Sequence, residues 1–179
     1  MTKPPPSVTQ VLGLYQDFSG IRSDVLARAS ERGTAVHRIC AALVQSLWVP
    51  SIPEDCQGYI ESFRLWTPYI QETVLVEKEL VDKKLGYRGR PDWIGRIRGD
   101  KTLTVLDWKT PLAKGRLWQA QLAAYAHLAG IYYEDIGRIA SLRLKPDGKK
   151  PILDDYRRDP HDMAAFVSAL NAYRYFKEG

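Results

Sequence analysis

From Val36 the apolar residues Val36, Ile39, Cys40, Leu43, Val44 and Leu47 recur at intervals of one, three and four, the spacing of a helix with one buried stripe. Ser23-Asp24 offers a start for that helix, and Pro50 and Pro53 an end. Tyr59, Ile60, Phe63 and Trp66 repeat the pattern over 58–66, with Pro68 beyond it. The period then shortens to two. Over 73–81, Val74, Val76, Lys78 and Leu80 fall on one side, and Leu75, Glu77, Glu79 and Val81 on the other. Gly86-Tyr87 predicts a turn, 88–97 a strand broken at Pro91, Gly99-Asp100 a second turn, and 103–108 a third strand. Pro111 and Gly115 close this meander. Helical spacing returns over 116–128, where Leu117, Gln121, Ala124, Tyr125 and Leu128 share a face. A strand follows at 139–144, and a short one at 152–156. The last helix has Asp159 as cap and Pro160 in its first position, with a stripe of Met163, Phe166, Val167, Leu170 and Tyr173.

The order α, α, β, β, β, α, β, β, α predicts an α+β (α/β mixed) fold, a central mixed β-sheet flanked by helices. The 179 residues suit one domain, with 1–22 read as an extended segment because Pro4-Pro5-Pro6 disfavours helix. Composition narrows the function classes. A 45% hydrophobic chain can build a core. The balance of 26 Lys and Arg against 21 Asp and Glu gives +5, which permits a polyanionic partner. Cys40 and Cys56 alone exclude a four-cysteine metal site and a disulfide scaffold. The N-terminus lacks the apolar core of a signal peptide, and the longest uncharged run, 117–133, is too short and too polar to cross a bilayer. The expectation is a protein of the cytoplasm, with no membrane partner.

The chemistry concentrates in Gly89-Arg90-Pro91-Asp92 and, fifteen residues after Asp92, Asp107-Trp108-Lys109. On a strand, Asp107 and Lys109 point to the same face. Counting back across the Gly99-Asp100 turn brings Asp92 beside Asp107. Two carboxylates a few ångströms apart repel unless a proton or a hard cation joins them, and Mg²⁺ or Mn²⁺ suits such oxygens. A neighbouring ammonium then stabilises charge developing beside the cation. His37 sits at the edge of the first helix's apolar stripe, four residues after Gly33, where its imidazole can reach a metal at the sheet lip. Glu77 and Glu79 each offer a further carboxylate, and Gln121 and Tyr125 form an i, i+4 polar pair on an otherwise apolar helix face. Residues 83–101 are the most basic stretch, and Trp93, Trp108 and Trp118 read as partly core, with base stacking as the alternative.

Taken in order, Gly33-x-x-x-His37, Glu77, Gly89-Arg90-Pro91-Asp92, Asp107-Trp108-Lys109 and Gln121-x-x-x-Tyr125 resemble the motifs of PD-(D/E)xK nucleases, in particular the RecB-like branch that includes phage recombination exonucleases. Ser7-Val8-Thr9-Gln10-Val11-Leu12 is similar to the start of several phage members, and the resemblance spans roughly residues 7 to 145. It implies a restriction-endonuclease-like αβββαβ core. It makes Asp92 and Asp107 metal-binding carboxylates, with His37 and the Trp108 carbonyl as further ligands. Lys109 positions or activates the attacking water. Glu77 matches the first acidic position, with Glu79 competing for it, and Gln121 and Tyr125 match the motif on the helix behind the site. Arg88, Arg90, Arg96 and Lys114 are the expected DNA contacts. The implied activity is Mg²⁺- or Mn²⁺-dependent DNA hydrolysis, exonucleolytic and serving recombination, repair or phage DNA processing. Alternatives are a structure-specific endonuclease or a non-catalytic DNA-binding subunit. DNA is the expected partner, together with a recombination or single-strand-annealing protein. Two cysteines exclude the iron–sulfur cluster that some relatives carry.

Overall fold

Five strands assemble into one mixed sheet in a computed structural model that describes residues 4–49, 51–111 and 113–177. In chain order the elements are α1 (Val8–Gly13), α2 (Ser23–Val44), α3 (Gln57–Arg64), β1 (Ile70–Val76), β2 (Leu80–Asp82), β3 (Tyr87–Gly89), β4 (Trp93–Ile97), β5 (Leu103–Lys109), α4 (Trp118–Tyr132), β6 (Ile136–Arg143), β7 (Ile152–Tyr156) and α5 (Pro160–Lys177). The sheet order is β1-β4-β5-β6-β7. Every neighbouring pair is antiparallel except β5 and β6, which α4 connects as a parallel crossover. The expected mixed sheet with flanking helices is therefore present.

Alternation along the strands sorts two cores. Ile94, Val105 and Ile139 face α1, α4 and α5, where Leu122, Leu128, Phe166 and Leu170 cover them. Trp93, Leu106, Ala140 and Leu142 face the other way, toward Val36 and Ile39 of α2 and Ile60 and Phe63 of α3. A sheet buried on both faces needs apolar residues on both parities, which is why β5 reads Leu-Thr-Val-Leu without polar alternation. The same parity decides where the charges go. Asp107 and Lys109 share the side of Val105, toward α4, and Trp108 joins the core beneath α2 and α3.

Three departures from the pattern-based expectation have local causes. Residues 73–81 do not form one strand: β1 ends at Val76, Glu77 turns through a left-handed φ of 47°, and Leu80 opens the separate hairpin of β2 and β3. The strand expected over 88–97 divides at Pro91 for the same purpose, so that β3 belongs to the hairpin and β4 to the sheet. The segment expected to be extended through residue 22 instead contains α1. Ser7 Oγ accepts from the Gln10 backbone N–H at 3.1 Å, and the Gln10 side chain accepts from the Ser7 backbone N–H at 2.8 Å. That reciprocal cap starts a helix directly after the proline run. The first long helix is already helical from Ser23 and ends at Val44; Pro50, read as a terminator, and Met1-Thr2-Lys3 lie outside the described residues. At the C-terminal helix Asp159 Oδ1 accepts from the His161 backbone N–H at 2.9 Å, the cap read from the pattern.

The core beneath α3 gives the first test. Phe63 has no exposed surface and packs edge-on against Trp108, ring centroids 5.3 Å apart. Phe63→Ala is expected to cost about 3–5 kcal/mol in urea unfolding. A loss below about 1 kcal/mol would show that this second core is not packed as described.

Candidate active site

The end of the sheet where β4 begins and β5 finishes gathers side chains from both faces. The antiparallel register pairs Trp93 with Leu106 and Ile94 with Val105, which places Asp92, one residue further, opposite Asp107. Asp92 is buried, and its carboxylate is held at two points. Oδ2 accepts the Trp108 backbone N–H at 2.6 Å, and Oδ1 meets His37 Nδ1 at 3.1 Å. The backbone N–H of Glu77 donates to the Asp92 carbonyl at 3.1 Å, so the left-handed turn after β1 is tied to the same residue. A non-glycine residue at positive φ carries strain that its surroundings must hold. Here the turn swings the Glu77 carboxylate in, where strand alternation would have carried it past. Ligand atoms of His37, Glu77 and Asp92 all lie within 4.8 Å of one another, a grouping that can hold a metal ion.

Asp107 belongs to a second, adjoining network. Gln121 on α4 donates from Nε2 to Asp107 Oδ1 at 3.2 Å and accepts from Lys109 Nζ at its Oε1 at 2.8 Å. The Gln121 amide also lies 3.2 Å from the Tyr125 hydroxyl. Lys109 Nζ makes an ion pair with Asp107 and stands 5.2 Å from the centre of the Trp118 ring. Asp107 Oδ2 is buried and, although it touches that ammonium, has no aligned hydrogen bond. The hairpin reaches this network because residue 89 is glycine. A Cβ there would fall 2.8 Å from Tyr125 Cε1 and 2.7 Å from Leu128 Cδ1.

Electrostatics follow from three carboxylates in little water. Burial pulls the His37 imidazole down, but the charge and hydrogen bond of Asp92, helped by Asp107, outweigh it and raise the group from 6.5 to about 9. Burial first, then the Asp92 charge, lifts Glu77 from 4.5 to about 7. Burial also pushes Asp107 up; Lys109 opposes that rise, and Asp92 adds to it. Burial, with the Asp107 charge beside it, holds the Tyr125 hydroxyl protonated well above the usual phenol range.

These residues form part of the lining of an open cleft of about 950 Å³. One wall is α2, with Gly33, His37, Arg38 and Gln45; the opposite side is the start of α1 and the hairpin, with Gln10, Arg88 and Arg90. All six expected catalytic positions, Glu77, Asp92, Asp107, Lys109, Gln121 and Tyr125, line it together with His37. Glu77, and not Asp107, groups with His37 and Asp92, while Lys109 and Gln121 engage Asp107. Glu79 lines the cleft but is paired with Arg88. Trp108 contributes its backbone N–H, and its ring is core.

Of the four cations expected to contact DNA, two are elsewhere. Arg96 follows β4 away from the cleft and pairs with Glu72 at 3.3 Å. Lys114 pairs with Asp154 at 2.7 Å, with its ammonium 5.6 Å from the centre of the Tyr156 ring. Arg88 is half-buried, donating to the Pro5 carbonyl at 2.9 Å, while Arg90 is exposed in the cleft. Arg38 also lines the cleft and was not singled out from the sequence. Its signal was there: Arg38, Ala41 and Gln45 recur at i, i+3 and i+7 beside His37.

No family model matches this chain, and no curated protein matches it in sequence. Solved structures do resemble it. One is a crystal structure from Eubacterium rectale of a protein provisionally named an exonuclease, with a TM-score of 0.46 and 8% identity over 80% of this chain. The match spans 64% of that protein's chain. A likeness of that degree carries no functional argument. No helix among the described residues is long and apolar enough to cross a membrane.

Below their raised pKa values, His37 and Glu77 hold protons that compete with a cation. A divalent ion must displace the His37 proton below pH about 9 and the Glu77 proton below pH about 7. Calorimetric Mn²⁺ affinity is therefore expected to rise with pH, by about two logarithmic units per pH unit below 7 and about one from there to 8.5. Affinity flat across pH 6 to 8.5 would rule these two groups out as ligands.

Proposed function

We propose that this protein is a divalent-metal-dependent deoxyribonuclease of the PD-(D/E)xK type, acting as an exonuclease. The observation that carries the reading is the adjacency of two groups at the floor of one cleft. These are a His37–Glu77–Asp92 cluster able to hold a cation and the Asp107–Lys109–Gln121 network beside it. A phosphodiester anion repels hydroxide. Mg²⁺ or Mn²⁺ at such a cluster would neutralise the diester and lower the pKa of the attacking water. His37, Glu77 and Asp92 would hold it, with Asp107 and the Trp108 carbonyl as the remaining expected ligands.

The chain's own groups supply the rest. Lys109 carries a positive charge aimed at the reacting phosphate, where negative charge builds. Gln121 fixes that ammonium through its Oε1 and orients Asp107 through its Nε2. Tyr125 lies against the same amide and limits its rotation. The hairpin and α2 hold the strand between exposed Arg38 and Arg90, contacts that give salt-sensitive, sequence-independent binding. Water's oxygen bonds to phosphorus and gives up one proton, the bond to the 3′-oxygen breaks, and that oxygen takes up one proton, so the net transfer is from water to the leaving 3′-oxygen. The products are a 5′-phosphate and a 3′-hydroxyl.

Linear DNA labelled separately at each end, with a closed circle as control, tests the reading. With Mg²⁺ or Mn²⁺ we expect loss of the linear substrate, an intact circle, and no reaction with chelator. Lys109→Ala is expected to lower the rate about 10²–10³-fold with DNA affinity retained. Cutting of the circle would make the protein an endonuclease. Salt-sensitive binding with no cleavage in either metal would make it a DNA-binding subunit.

A further inference from the structure

The chain contains five tryptophans, at positions 48, 66, 93, 108 and 118. Four of them are buried; Trp48 is 83% exposed. It follows α2, and although it is not itself among the residues lining the cleft, its chain neighbour Leu47 is. The position is built. After the helix the Leu47 N–H bonds the Ala42 carbonyl at 2.8 Å and the Ser46 N–H bonds the Leu43 carbonyl at 3.1 Å. Ser46 takes a left-handed φ of 55°. This is a Schellman cap with serine where glycine would be unstrained. It closes α2 and turns Leu47 and Trp48 outward.

From this we infer that Trp48 is a base-stacking platform that gives the cleft a preference for single-stranded DNA. The inference rests on the nuclease reading above and adds its substrate class. Two observations and one general property of DNA converge on it. The α2 wall of the cleft runs from His37 past Arg38 to Gln45, about 12 Å along the axis at 1.5 Å per residue. That distance spans about three to four stacked nucleotides at roughly 3.4 Å each. Arg38 and Arg90 line the same path and make no ion pair among the described residues, so their charge is available to phosphates. Finally, an unpaired base exposes a face that an indole can cover, whereas a duplex hides both faces of every internal base. The tryptophans at 93, 108 and 118, weighed for this role from the sequence, are buried and cannot perform it.

Intrinsic fluorescence singles out this residue when the wild-type protein is compared with Trp48→Phe, which lacks only the exposed indole. The experiment titrates the full chain with a ten-nucleotide oligothymidylate and, separately, a blunt hairpin duplex. Ca²⁺ replaces Mg²⁺ to slow turnover, and gels confirm intact DNA. We expect oligothymidylate to quench the emission. Trp48→Ala should bind it about 5- to 150-fold more weakly, with duplex affinity changed less than twofold, and Trp48→Phe should recover most of the loss. Unchanged oligothymidylate affinity in Trp48→Ala would overturn the inference, as would equal weakening toward both DNAs. A separate arm checks the nuclease reading: the wild-type protein with Mn²⁺ should hydrolyse thymidine 5′-(p-nitrophenyl phosphate). Quenching by oligothymidylate without that hydrolysis would sink the nuclease reading and leave the stacking platform standing.

Discussion

The arrangement depends on a carboxylate that must keep its charge out of water. Asp92 is 5% exposed, and an isolated buried carboxylate would cost several kcal/mol. Two donors compensate, the Trp108 backbone N–H and the His37 imidazole, and each comes from a different layer. One is the neighbouring strand, which fixes register. The other is α2, which is thereby pinned across the sheet end. The Asp92 backbone carbonyl adds a third tie, to the strained turn at Glu77. Removing either donor would leave the charge with only one, so sheet register, helix placement and the turn support one another through this residue.

The two-sided sheet explains why the chemistry sits at an edge. Its faces are filled by the cores under α1, α4 and α5 and under α2 and α3. Small hydroxyls such as Thr104 and Ser141 fit within the sheet, but the cleft's charged groups gather where strands end and helices from both layers overhang. His37 arrives from one layer and Gln121 and Tyr125 from the other. The hairpin, allowed close to α4 by Gly89, closes the third side. A cluster of acid–base groups with raised pKa values in one open cleft suits a cation, which would take the place of the protons that His37 and Glu77 otherwise hold.

Much of this was legible in the chain. Parity placed Asp107 and Lys109 together, a count across one turn placed Asp92 opposite Asp107, and i, i+4 spacing paired Gln121 with Tyr125. These are short-range relations in regular elements, where geometry follows directly from numbering. What escaped depends on irregular backbone or on distant partners. Strand alternation gave no reason to separate Glu77 from Glu79, because the positive φ that separates them arises from the bond to Asp92. The splitting of two expected strands into a sheet and a hairpin has the same origin in the breaks at Glu77 and Pro91. Arg96 and Lys114 were grouped with the site by nearness in sequence, yet Glu72 and Asp154 hold them elsewhere. The α1 cap was visible as Ser7-x-x-Gln10, but the preceding prolines argued for extended chain.

Diffraction from a crystal soaked in Mn²⁺, with data collected for anomalous signal at the manganese edge, tests the central claim most directly. The account predicts a peak at coordination distance, about 2.0–2.3 Å, from His37, Glu77 and Asp92, with Lys109 beside it and unligated. A peak that excludes His37 and Glu77, or none at this end of the sheet at saturating Mn²⁺, would contradict it.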